Sequence, residues 1–202
     1  MDQKLEKRQI KDSDGKIERL SKPRISPLEG EWHKSIRTEQ IGYDQAGGGS
    51  SINIFKTIAS HPKLMKNWSP FLSYIGNRTR LPKRDREIVI LRIGWLCQAE
   101  YIWGQHAIVV KEVGLSDEEF KRITKGPDAE GWSEFESTLI QAVDELYLNT
   151  FIGDKTWKLL SEKYNDRKLM DFICTVGEYN HISMFLNTVG VQLEEDKKGF
   201  PE

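Results

Sequence analysis

Side chains capable of proton transfer follow a largely apolar stretch in the middle of the chain. After the apolar run 86–96 come Glu100, Tyr101 and His106, all within ten residues. Burying such groups costs free energy unless they are paired. Packing of a hydrophobic core therefore does not explain why these three residues occur together here. Histidine is the usual proton shuttle near neutral pH. The stretch is therefore the first candidate for a functional site.

Composition limits the classes of protein to consider. The chain has 202 residues, of which 38% are hydrophobic and 30% charged, which fits one soluble domain with a core and a loose tail. The net charge of -1 provides no overall field to attract nucleic acid or an anionic membrane. No apolar run reaches the roughly 18 residues of a membrane span, and no secretory signal follows Met1. We predict a cytoplasmic protein without nucleic-acid or membrane partners.

Helical spacing of apolar residues and the lack of strand-like alternation predict an all-α protein with about eight helices. Capping boxes begin at Ser116 and Ser133, each with a glutamate three residues later. The segment 169–190 is nearly free of charge, which predicts a helix that is central or at a subunit interface. Residues 1–22 are predicted to be a poorly ordered tail, 23–195 a helical domain, and 196–202 a polar C-terminal tail.

Glu87, in the apolar run, is a further candidate, and it can share a site with His106 only if the helical stretch breaks or if one of the two residues comes from a neighbouring subunit. On one straight helix Glu87 and His106 would lie about 28 Å apart. Gly94 and Gln98 are plausible break points, so we predict two helices at roughly 83–97 and 99–113. Glu100 would then lie in the first turn of the second helix. Helix N-termini attract anions, which would suit a carboxylate substrate.

Structural explanations compete with the functional ones. His106 could be a hydrogen-bonded core histidine, an acid–base residue or a metal ligand, although no His-Glu-x-x-His pattern supports a metal. Glu87 could be a structural partner of Arg84 or Arg92. Tyr179 and His181 are interpreted first as core polar groups. Asp144 could be paired in the interior, perhaps with an arginine, or solvated.

Three segments together carry a family resemblance. They are LPKRDREIVILR at 81–92, EYIWGQH at 100–106 and VGLSDEE at 113–119. They resemble the carboxymuconolactone decarboxylase family, which includes alkylhydroperoxidase D, and the resemblance extends over 23–195. It implies an all-helical homo-oligomer, a trimer or hexamer with a dimer also allowed, that binds a small-molecule substrate.

The peroxidase branch of that family uses a glutamate followed by Cys-x-x-Cys-x-x-x-His. The resemblance places the glutamate at Glu87 and the histidine at His106, but the two cysteine positions hold Ala99 and Ile102. Cys97 lies two positions earlier, about 200° around a helix, and is no simple substitute. Disulfide chemistry needs a thiolate and a resolving partner. A dithiol peroxidase is disfavoured, and a Cys97-dependent thiol peroxidase is only a third hypothesis.

The leading hypothesis is a carboxymuconolactone decarboxylase-like enzyme, a lyase that uses acid–base chemistry on a small carboxylate or lactone without a cofactor or metal. His106 would be the general acid or base and Glu87 its partner. Glu100, Tyr101 and Trp103 would line the substrate pocket, although a tryptophan such as Trp103 more often packs in the core or at a subunit interface. The alternative is a non-catalytic oligomeric protein of the same fold that binds a small molecule.

Overall fold

A computed structural model describes residues 20–30 and 52–201. This part of the chain contains eight α-helices and no strand, which confirms the all-α prediction. No helix in it is long and apolar enough to cross a membrane. The predicted tail 1–22 lies outside the described residues except for 20–22. The helices are α1 (Asn53–Ile58), α2 (Pro62–Asn77), α3 (Lys83–Leu96), α4 (Glu100–His106), α5 (Asp117–Lys125), α6 (Glu134–Asn149), α7 (Asp154–Ser161) and α8 (Asp166–Val189).

Helix α3 is the central element and is buried on all sides. One side of it, which includes Val89 and Ile93, packs into the main core with residues of α2, α6 and α8. The opposite side, which includes Ile88 and Leu91, packs with Trp103 in a second apolar cluster. A helix that is apolar around its circumference is stable only inside a protein. The apolar run seen in the sequence therefore becomes the scaffold of the fold.

A buried ion pair fixes α3 to α6. Arg92 donates from Nε and Nη2 to the two carboxylate oxygens of Asp144, each at 2.7 Å. Its Nη1 donates to the carbonyl oxygen of Ile123 at 2.8 Å, at the C-terminal end of α5. Both charged side chains are almost completely buried. Interior pairing of Asp144 with an arginine is thereby confirmed.

Both predicted capping boxes are present, and a single arginine joins them. Ser116 caps α5 with Glu119, and Ser133 caps α6 with Glu136. Arg84 contacts both glutamates at 2.6 Å. Arg84 and Arg92 thus form ion pairs with carboxylates other than Glu87. The alternative that Glu87 is a structural partner of Arg84 or Arg92 is therefore wrong.

The helical stretch breaks at Gln98, one of the two predicted positions. Gln98 adopts a left-handed conformation with φ of 52°, and α4 starts two residues later. Gly94 stays helical, and a Cβ there would lie 3.0 Å from Cγ2 of Ile102, so the glycine permits the close approach of α4. Helix α4 ends at His106, short of the predicted 113. The next residues include 108–110, three consecutive β-branched side chains of lower helix propensity.

Residues 190–201, the C-terminal segment, run across α4. The Phe200 ring lies 5.1 Å from that of Trp95 and 5.6 Å from that of Trp103. A Cβ at Gly104 would lie 2.8 Å from the carbonyl oxygen of Lys198. Most of the predicted C-terminal tail 196–202 lies within this segment, which packs on the helix that carries His106.

Candidate active site

The break after α3 brings Glu87 and His106 together within one chain. Oε2 of Glu87 lies 2.7 Å from Nδ1 of His106. The Glu87 side chain is 2% exposed and that of His106 is 20% exposed. Because α4 reverses against α3, residues that a straight helix would hold about 28 Å apart are hydrogen-bonded. No neighbouring subunit is needed to form this pair.

Glu87 is a buried carboxylate whose pKa is lowered despite its burial. Burial on its own would raise the pKa of Glu87, but the charge and hydrogen bond of His106, together with Arg86, outweigh it and leave the pKa lowered. Nε of Arg86 lies 3.5 Å from Oε1 of Glu87. An ionised carboxylate can only accept hydrogen bonds, so the hydrogen-bond geometry assigns a proton to Nδ1 of His106. In neutral imidazole, Nε2 is then the basic nitrogen.

Tyr179 from α8 completes the arrangement. Its hydroxyl lies 3.1 Å from Nε2 of His106, and the two rings meet edge to face at 5.3 Å. The sequence interpretation treated Tyr179 and His181 as core polar groups; Tyr179 is buried, but the His181 side chain is 54% exposed, so the interpretation is wrong for His181. The contact of Tyr179 with His106 was missed. The available signal was the polar run 178–181, which interrupts a helix otherwise poor in charge.

A pocket of about 110 Å³ opens beside His106 and Tyr179. This is the size range of cavities that hold a small organic molecule. Most of its lining is apolar, and its polar side chains are those of Asn77, Tyr101, Gln105, His106 and Tyr179. The lining residues are Ile52, Ile54, Phe55, Leu72, Gly76, Asn77, Tyr101, Ile102, Gln105, His106, Tyr179, Ile182 and Leu186.

Of the three residues predicted to line the pocket, only Tyr101 does. Trp103 is buried on the far side of α4, against Trp95, Phe120 and Phe200. Glu100 lies on the surface beside the C-terminal segment, 3.4 Å from the backbone nitrogen of Phe200. Successive residues of a helix point about 100° apart. The face of α4 that presents Tyr101 to the pocket therefore directs Glu100 and Trp103 elsewhere.

Glu194, in the C-terminal segment, ties three parts of the pocket wall together. Its Oε1 accepts from the Tyr101 hydroxyl at 3.0 Å and from the backbone nitrogen of Asn53 at 2.7 Å. Its Oε2 accepts from the side-chain amide of Gln105. The Tyr101 oxygen also accepts from the backbone nitrogen of Ile54 at 3.2 Å. Nothing in the sequence marked Glu194, because its partners lie up to 141 residues away.

Neither cysteine lines the pocket. Sγ of Cys97 lies 3.2 Å from Oδ1 of Asn180, and Cys174 is exposed on α8. A free cysteine usually behaves as a small buried hydrophobe, but the position of Cys174 on α8 faces away from the core. Within 20–30 and 52–201, no group of three or more His, Cys, Asp or Glu side chains is arranged to hold a metal ion.

Comparison with known proteins identifies the family of the central part of the chain. The model of the carboxymuconolactone decarboxylase family matches residues 62–144, which include α3, α4 and the Glu87–His106 pair. This segment belongs to the carboxymuconolactone decarboxylase family. The resemblance inferred from the sequence is confirmed here. A search of curated proteins finds no significant match.

Solved structures share the fold of this chain at low sequence identity. A peroxidase-related protein from Silicibacter sp. TM1040 is 14% identical, with a TM-score of 0.69 over 94% of this chain and 96% of that chain. An alkylhydroperoxidase AhpD core protein from Ralstonia eutropha JMP134 is 14% identical, with a TM-score of 0.71 over 85% and 94%. The debrominase Bmp8, in complex with 2,3,4-tribromopyrrole, is 10% identical, with a TM-score of 0.70 over 88% and 95%. The fold is therefore the AhpD-like helical fold.

Proposed function

We propose that this protein is a cofactor-free enzyme of the carboxymuconolactone decarboxylase type that acts on a small lactone or carboxylate. The observation that supports this most directly is the chain of hydrogen bonds from Glu87 through His106 to Tyr179 at the pocket. A histidine oriented by a buried carboxylate and open to a small cavity is a typical arrangement for general acid–base catalysis. Glu87 and Tyr179 hold both ring nitrogens in place.

The arrangement suits a reaction that passes through a carbanion-like species. Loss of CO2 from an unsaturated lactone acid leaves an electron pair that delocalises as a dienolate. The reaction then needs a proton for carbon and hydrogen-bond donors for the developing charge. In this proposal His106 transfers the proton, directly or through the Tyr179 hydroxyl. Glu87 stabilises the imidazolium form during the transfer.

The lining of the pocket favours a molecule with no more than one carboxylate, because His106 is the one described side chain in it that is able to carry a positive charge. Among the described residues the lining contains no lysine or arginine, and its polar members include Asn77, Tyr101 and Gln105. A carboxylate would have to bind to His106 and these hydrogen-bond groups, whereas a neutral lactone ring needs no counter-charge. A small ring substrate also agrees with the fold neighbour Bmp8, whose structure contains a tribromopyrrole.

A panel of unsaturated lactones, with and without a carboxyl group, tests the proposal by following CO2 release and loss of the lactone. With any substrate found, His106→Asn should lower kcat/KM by about 10²–10⁴-fold, and Tyr179→Phe should lower it less. The matched control is His61→Asn, at an exposed histidine that caps α2 and lies outside the pocket, since asparagine preserves the cap. Full activity of His106→Asn, with unchanged helical content, would refute the proposed role.

A further inference from the structure

Another cavity, of about 220 Å³, lies on the other side of one wall of the pocket beside His106. It is bounded by the break after α3, the last turn of α8 and residues 190–193, and we call it the second cavity. Tyr101 and Leu186 line both cavities and form the wall between them. An engineered cavity of about 150 Å³ holds benzene, so the second cavity has room for a small organic molecule. The chemistry proposed for His106 does not use it.

Two side-chain amides of the second cavity hold the break after α3 beside the end of α8. Nε2 of Gln98 donates to the carbonyl oxygen of Trp95 at 2.8 Å, and Nδ2 of Asn187 donates to that of Cys97 at 2.9 Å. A carbonyl oxygen only accepts hydrogen bonds, so these contacts decide which end of each amide is the nitrogen. At its other end each amide offers an oxygen, which is a hydrogen-bond acceptor.

A third amide and a carboxylate add further acceptors to the lining. Nε2 of Gln192 donates to the carbonyl oxygens of Gly190 at 2.7 Å and Leu20 at 2.9 Å, which uses both of its hydrogens. Glu100 lines the same cavity and is exposed. As the first residue of α4, it also offsets the positive end of that short helix. Among the described residues, the lining contains no lysine, arginine or histidine.

The C-terminal end of α8 contributes negative potential. This helix of 24 residues ends at Val189, and Gly190 follows it in a left-handed conformation. The carbonyl groups at such an end carry the equivalent of about half a negative elementary charge. Arg24 already donates here, from its backbone nitrogen to the Val189 oxygen at 2.7 Å and from Nη1 to the Thr188 oxygen at 3.3 Å. The helix end beside the second cavity therefore attracts cations.

We propose that the second cavity binds a small protonated amine, with its ammonium group hydrogen-bonded to the amide oxygens of the lining and paired with the Glu100 carboxylate. An ammonium group has three donors and no acceptor, which complements a lining rich in acceptors. An anion would find no cationic side chain in the described lining. A divalent metal ion is usually held with the help of several carboxylates, and here Glu100 supplies one. The proposal is independent of the function proposed for His106.

Three probes of equal chain length test which head group the second cavity selects. n-Butylamine, with a pKa of about 10 like that of lysine, is a cation at pH 7; n-butanol is neutral and butyrate is an anion. Each is titrated at constant ionic strength into the full chain labelled with ¹⁵N, and NMR follows the side-chain amide signals. n-Butylamine should shift those of Gln98, Asn187 and Gln192 with saturation, and the other two probes should not.

Several results of this titration would overturn the proposal. Equal binding of n-butanol would show that the cavity selects only the hydrocarbon chain. Stronger binding of butyrate would show an anion site. Displacement of n-butylamine by an equal concentration of potassium chloride would assign the site to an inorganic cation. Absence of saturable shifts with n-butylamine would show that no amine site exists.

Three variants test the assigned groups by the same titration. Glu100→Gln should weaken n-butylamine binding by about two- to fivefold, which corresponds to one exposed ion pair. Its matched control, Glu195→Gln, removes the same charge at an exposed position outside the lining and should leave the affinity unchanged. Gln192→Lys should abolish binding, because the lysine ammonium can donate to the same carbonyl oxygens and occupies the cavity itself.

Far-UV circular dichroism should show the same helical content in all three variants. Equal weakening by Glu100→Gln and Glu195→Gln would show an effect of net charge alone. Unchanged binding by a folded Gln192→Lys variant would place the amine elsewhere. Either result would overturn the proposal.

Discussion

Removing one member of the buried Arg92–Asp144 pair should destabilise the fold more than removing both. Asp144→Ala leaves the Arg92 guanidinium buried without its carboxylate. Arg92→Met leaves the Asp144 carboxylate buried without its cation. Each single change breaks a pair whose side chains are 2% and 5% exposed. The double variant leaves no uncompensated charge, so the two changes should be strongly non-additive.

The contacts of Arg92 set the expected magnitudes. Breaking a buried pair from one side costs about 3–5 kcal/mol. Asp144→Ala should be near the lower value of about 3 kcal/mol, because Arg92 keeps the carbonyl oxygens of Ile123 and Thr124 as partners. Arg92→Met should be near the upper value, because it also leaves those two carbonyl oxygens without their hydrogen-bond donor. The double variant should lose about 2 kcal/mol, mainly from the carbonyl oxygens left unpaired.

Urea unfolding followed by far-UV circular dichroism measures these free energies. For a domain of this size, Asp144→Ala should also lower Tm by about 6–12 °C. The informative comparison is the double variant against each single variant. If the cost of the double variant equals or exceeds the sum of the single costs, the pair is not coupled, and its proposed role in holding α3 on α6 is refuted.

Three further outcomes are expected. Gly104→Ala should loosen the C-terminal segment, because the new Cβ would lie 2.8 Å from the Lys198 carbonyl oxygen. Amide hydrogen exchange should become faster in the C-terminal segment and change little in α3. Glu194→Ala should cost about 1–2 kcal/mol in urea unfolding, whereas Glu195→Ala at the exposed neighbouring position should cost little, and equal effects would contradict the role of Glu194. Because the folded-state pKa of Glu87 is lowered, its stabilising contribution is complete above the unfolded pKa and is lost as pH falls through the folded pKa. Between about pH 5 and pH 3, Glu87→Gln should therefore lose less stability than the wild-type protein, and identical pH profiles would contradict this.

Local signals in the sequence were sufficient for the helices and for one part of the site. The capping boxes at Ser116 and Ser133 start α5 and α6 because their hydrogen bonds form within four residues. The need for Glu87 and His106 to meet predicted a break, and it occurs at Gln98. The capping boxes depend on neighbouring residues, so the local sequence contains them, whereas the pairing of Glu87 with His106 was expected from the family resemblance. The proposed catalytic roles of both residues remain predictions.

The rest of the site depends on distant contacts. Tyr179 reaches His106 across 73 residues and Glu194 reaches Tyr101 across 93, and no local pattern encodes such pairings. The face of α4 turned to the pocket is set by the packing of α3 and the C-terminal segment. A local reading therefore could not separate Tyr101 from Trp103.

The hydrogen bonds of Glu194 also bear on how the pocket is made. They join the C-terminal segment to residues 93 and 141 positions earlier in the chain. Contacts between such distant positions form slowly, because a long loop must close before they contribute stability. The Glu87–His106 pair closes a loop of only 19 residues. During folding, and during synthesis from the N-terminus, the acid–base pair can thus assemble well before the pocket has its wall.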